Sequence, residues 1–134
     1  MRFRKESGAV PVEFAAAIGL LVFPVFVFVM TIAPVVERRN VAGRAAAEAA
    51  RAFVVAPDVA AGSAAAQSII DQVNASHPFN LTLSLAGDLD RGATVTATVE
   101  VAMPIVIFPG VQLLSVADYT ATHVEEVDLL RSFG

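Results

Sequence analysis

Glu13 is the ionisable side chain that stands where ionisation is most expensive. It directly precedes residues 14–36, a run of 23 without Asp, Glu, Lys or Arg. A carboxylate carried to the centre of a bilayer costs about 2.5–3.5 kcal/mol on insertion scales, and less near the interface. Such a group calls for a headgroup-level position or a positive partner. Gly8 lies five residues before it and Phe14 directly after it. Taken by themselves, these residues describe an interfacial acid capping an ordinary signal-anchor helix.

Few other residues offer chemistry. His77 and His123 are the two histidines, and without metal-ligand spacing they read as surface or strand positions. Asp88 and Asp90 lack the further carboxylates that a calcium loop places at fixed offsets, so a solvated turn is expected there. Glu125, Glu126 and Asp128 read as a solvated acidic end, and Asn74-Ala-Ser76 and Asn80-Leu-Thr82 match a glycosylation triplet common by chance. The absence of cysteine excludes disulfides, thiolate metal sites and cysteine nucleophiles. No Gly-x-Ser-x-Gly, phosphate-binding loop or dinucleotide fingerprint occurs, so no enzyme and no cofactor are expected.

The elements that position Glu13 follow from the run behind it. At about 1.5 Å per helical residue, 23 residues span roughly 30 Å of hydrocarbon. The apolar region of a secretory signal is shorter, about 7–15 residues, and Ile32-Ala33-Pro34-Val35-Val36 offers no convincing cleavage site, so a retained span is expected. Pro24 and Pro34 each remove a backbone donor inside the span, whereas Pro11 falls where first-turn N–H groups have no helical partner. Residues 1–39 hold five Lys/Arg against three acids, and residues 40–134 hold four Arg against ten acids. An acidic outer part is a poor footprint for nucleic acid. Arg2, Arg4 and Lys5 before the span face Arg38, Arg39, Arg44 and Arg51 after it, so the positive-inside rule leaves the topology undecided.

The string Ser7-Gly8-Ala9-Val10-Pro11-Val12-Glu13-Phe14 resembles the processing site of tight-adherence, type IVb prepilins, and most of the chain is similar to the TadE-like family of minor pilins or pseudopilins. The resemblance implies that a prepilin peptidase cuts between Gly8 and Ala9 at the cytoplasmic face, leaving 126 residues with Glu13 fifth and Phe14 sixth. Glycine before the cut would admit an extended backbone to a narrow cleft. The freed α-amino group of a neighbouring subunit would pair with Glu13 and help set the stagger of subunits. The implied partners are the peptidase, other pilin subunits and an inner-membrane assembly platform. The implied location is the cytoplasmic membrane, single-pass with the head outside, and a surface pilus after processing. Two departures stand out: Pro11 lies within the usual small-residue spacer, and Pro24 comes later than the family's usual proline.

Beyond the span, Ala is abundant and Arg44 and Glu48 stand at i,i+4, so the helix is expected to continue to about residue 53 before Pro57. Small residues recur every fourth position, Ala15 and Gly19 within the membrane and Ala42, Ala46 and Ala50 beyond it, a pattern that permits close helix packing. In a filament this stripe would meet neighbouring subunits. A second helix is expected over 63–74, starting at Gly62-Ser63. The period then becomes two: Leu81, Leu83 and Leu85 alternate with polar residues, as do Val95, Ala97, Val99, Val101 and Met103, with turn residues 87–92 between. Pro104 ends that second strand, Pro109-Gly110 marks a turn, and a third strand is expected over 117–127. The expected fold is α+β, a long N-terminal transmembrane helix extending into a small head with a three-stranded antiparallel β-meander. Its parts are a basic leader (1–8), the transmembrane helix (9–36), a helical extension (37–56) and the head (57–134). Two functions remain open at this point. One is a processed minor pilin. The other is an unprocessed single-pass envelope protein that serves as an assembly factor or binding module.

Overall fold

The computed structural model describes residues 9–104 and 115–129. Helix α1 (Ala9–Val55) is 47 residues long, about 70 Å at 1.5 Å per residue, and runs unbroken through Pro24 and Pro34. Its most apolar 18-residue window has a mean hydropathy of 2.6 and is not buried at all, so by length and composition this one helix can cross a membrane. Pro57, which cannot continue the helix, follows its end.

Helix α2 (Val59–Ser76) begins earlier than the expected 63–74. Its N-cap is Asp58, whose carboxylate accepts the Ala61 N–H at 2.8 Å, and the Asp58 carbonyl accepts the Gly62 N–H at 2.9 Å. Gly62 is therefore inside the helix rather than before it. A Cβ there would lie 2.9 Å from the Phe53 carbonyl oxygen, so glycine is what lets α2 close onto α1. Ala66 and Ile70 continue the buried face one and two turns on.

Three antiparallel strands follow in the order β1 (Leu81–Ala86), β2 (Thr94–Pro104) and β3 (Ser115–Glu126). The register Leu81↔Val101↔Tyr119 and Leu83↔Val99↔Ala121 puts most of the apolar residues of the three strands on one face. Thr82, Ser84, Glu100, Thr120 and Thr122 lie on the other, solvated face. Gly87 and Gly92 take positive φ in the β1–β2 connection, where Leu89 is buried and Asp88 and Asp90 are exposed. The turn is held by three backbone bonds: the Ala93 N–H donates to the Asp90 carbonyl, the Gly92 N–H to the Val127 carbonyl, and the Val127 N–H to the Ala93 carbonyl. Strand β2 ends with a register shift at Met103/Pro104. The turn expected at Pro109-Gly110 lies outside the described residues.

The sheet folds over the outer third of α1. Ala42, Ala45 and Ala46 pack with Ile70, Phe79, Leu81, Val99, Val101 and Met103. Ala49 and Ala50 meet Ala66 and Ala97, and Phe53 meets Leu89, Val95 and Val127. Alanine on this face lets the sheet approach the helix closely, and the larger residues on the strands fill the space. Helical extension and head thus share one hydrophobic core. Strand β2 descends as α1 ascends: Val95 lies beside Phe53, and Met103 beside the first alanines.

Candidate functional site

The N-terminal end of α1 holds the residues of the expected processing motif. Gly8 lies outside the described residues, and the described part of α1 starts at Ala9. Glu13 is the fifth described residue of α1, followed by Phe14, which is 67% exposed. Among the described residues Glu13 has no hydrogen-bond or ion-pair partner. Its carboxylate stands on an otherwise apolar helix surface, open to any cation that a lipid, solvent or another chain brings.

The small-residue stripe divides into two parts. Ala15 and Gly19 are exposed, and a Cβ on Gly19 would meet nothing within 4 Å. Ala42, Ala46 and Ala50 are fully buried beneath the protein's own sheet and α2. They hold the head to the helix and are already covered in the single chain. Gly43 faces away, again with open space around it. On the same open side, Phe28, Val29, Ile32, Ala33 and Val36 line a shallow apolar hollow rimmed by Glu37. Arg44 and Glu48, expected to support the helix as a pair, form no ion pair.

Arg38 and Arg39 are the side chains whose part sequence reasoning missed. The Arg38 guanidinium donates to the Ala102 carbonyl and lies 5.0 Å from the centre of the Phe79 ring. Arg39 lies over the Tyr119 ring at 4.7 Å. Two residues beyond the last uncharged position, this pair clamps the lower rim of the head to α1. An Arg-Arg pair beside the span was visible as charge, but its aromatic partners are 41 and 80 residues further along the chain.

The remaining sites stay apart. His77 packs by Phe79, with Nδ1 3.0 Å from the Ser76 hydroxyl, while His123 pairs with Glu125 at 3.0 Å on the sheet. No group of three metal-ligating side chains occurs among the described residues. Asn74 is not a free amide: it donates to the Leu81 carbonyl and accepts the Leu81 N–H, clasping the start of β1 to the end of α2. Comparison of the chain with protein-family models, curated proteins and solved structures finds no match.

Proposed function

We propose that the protein is a minor pilin or pseudopilin of the tight-adherence, type IVb class. It is made as a precursor, cut between Gly8 and Ala9, and assembled with other pilin subunits at an inner-membrane platform. One observation carries the reading: Glu13 stands on an exposed apolar helix with no hydrogen-bond or ion-pair partner among the described residues. A cut after Gly8 would leave a subunit that carries a new ammonium at Ala9, four residues before Glu13. The unmatched carboxylate would then stand one turn away on the next subunit. A helix N-terminus already favours negative charge, and an added ammonium from a neighbour would offset much of the cost of holding Glu13 among lipid or packed helices.

The rest of the molecule agrees with this assignment. An unburied apolar helix leading into a head that covers one side of its outer third leaves the opposite side open for other helices. The test is a pair of variants expressed with a prepilin peptidase and the pilus system. Gly8→Leu should block maturation, because a branched side chain obstructs the extended backbone at the cut. Glu13→Ala should be cut normally, yet enter sheared pili at least about ten-fold less, the loss expected for some 1.4 kcal/mol of pairing. Normal incorporation of Glu13→Ala would remove the pairing role.

A further inference from the structure

Two Asn-x-Ser/Thr triplets, Asn74-Ala-Ser76 and Asn80-Leu-Thr82, stand close together in the chain and take opposite parts in the fold. Attachment of a sugar to asparagine needs the side-chain amide nitrogen free to act as a nucleophile. An enzyme that reads the triplet must also reach the hydroxyl two residues on from the same side. The two triplets meet these demands very differently.

Asn74 and Ser76 belong to α2. The Asn74 amide is half-buried and spent in both directions, donating to the Leu81 carbonyl and accepting the Leu81 N–H. The Ser76 hydroxyl is held on the Gln72 and Val73 carbonyls, each at 3.0 Å. At about 100° per helical residue, the two side chains point about 200° apart. Asn74 could take a sugar only by releasing the first residue of β1.

Asn80 directly precedes β1, and burial alternates along this stretch. Phe79 and Leu81 are buried in the same core cluster, whereas Asn80, Thr82 and Ser84 are exposed. The alternation puts Asn80 and Thr82 on one face, about 7 Å apart at the rise of an extended chain. That face is the solvated one: the cross-strand neighbours of Thr82 are Glu100 and, beyond it, Thr120, both exposed. Neither the Asn80 nor the Thr82 side chain makes a hydrogen bond among the described residues. The two buried anchors on either side of Asn80 thus turn its amide outward, and no other element has to move to reach it.

We propose that Asn80 is an acceptor for an N-linked oligosaccharide and that Asn74 is not. In the transfer, the Asn80 amide nitrogen bonds to the anomeric carbon of a sugar carried on a lipid diphosphate. The bond from that carbon to the diphosphate oxygen breaks, the lipid diphosphate leaves with the electron pair, and one amide proton passes to the transferase or to water. The attached glycan stands on the sheet face opposite α1 and leaves the core untouched. This goes beyond the pilin reading and does not depend on it.

The test uses the full chain, folded in detergent micelles, with a lipid-diphosphate-linked oligosaccharide and an oligosaccharyltransferase that accepts the plain triplet. Peptide mass spectrometry reads the occupancy of each asparagine. Asn80 should be occupied at least about ten-fold more than Asn74, the factor expected when one site must first give up a hydrogen bond. Asn80→Gln should abolish the mass shift and leave the circular dichroism unchanged. Thr82→Ser should keep the shift and Thr82→Ala should lose it. Comparable occupancy of Asn74, a shift that persists in Asn80→Gln, or an unmodified chain beside a modified control peptide would each overturn the proposal. If circular dichroism shows Asn80→Gln to be unfolded, the two Thr82 variants are read in its place, and equal shifts in both would overturn it.

Discussion

Asn74 and Gly62 are single residues on which the placement of whole elements rests. The Asn74 amide donates at 3.2 Å to the Leu81 carbonyl and accepts the Leu81 N–H at 2.7 Å, so one side chain satisfies both polar groups of the first residue of β1. Asn74→Ala should lower stability by about 1–2 kcal/mol, because two part-buried groups lose their partner. Gly62→Ala should cost about 1–3 kcal/mol despite the better helix propensity of alanine, since the new methyl meets a backbone oxygen that cannot rotate away. Both are checked by denaturant unfolding of the full chain in detergent micelles, followed by circular dichroism. Neither role was legible in advance. Asn74 looked like a sequon and Gly62 like the start of a helix, because the partners that give them meaning are brought in by the fold.

Among the elements, α1 serves two ends. Its first two thirds have an exposed apolar surface, and its outer third is the centre of the head core. The period-two strands were readable from alternation alone, since one face of each is mostly apolar and the other carries Thr and Ser. The small-residue stripe was readable as a packing face but not as to what it packs, because alanine allows close approach to any neighbour. Ala42, Ala46 and Ala50 turned inward to the sheet, while Ala15 and Gly19 stayed open. Arg38→Ala should destabilise the head by about 1–2 kcal/mol through loss of one hydrogen bond and one ring contact. Tyr119 is the only tyrosine and the chain has no tryptophan, so its fluorescence isolates the second half of the clamp. Arg39→Ala should change that emission with a stability loss of only about 0.5–1 kcal/mol, and Arg38→Ala should leave the emission nearly as it was.

Over the whole molecule, charge and apolar surface are separated along one axis. An apolar helix about 70 Å long carries Glu13 near one end and an acidic α+β head on one side of the other. A soluble protein would have to cover that helix, whereas a membrane subunit presents it to lipid and then to other helices. The proposed life of the chain as a pilin turns on whether the end that bears Glu13 is remade after synthesis. The most direct measurement is the N-terminal residue of the protein, determined by mass spectrometry of membrane and sheared surface fractions from cells that possess the prepilin peptidase. The account predicts a chain beginning at Ala9 in both fractions. A stable chain still carrying Met1 through Gly8 in those cells would contradict it.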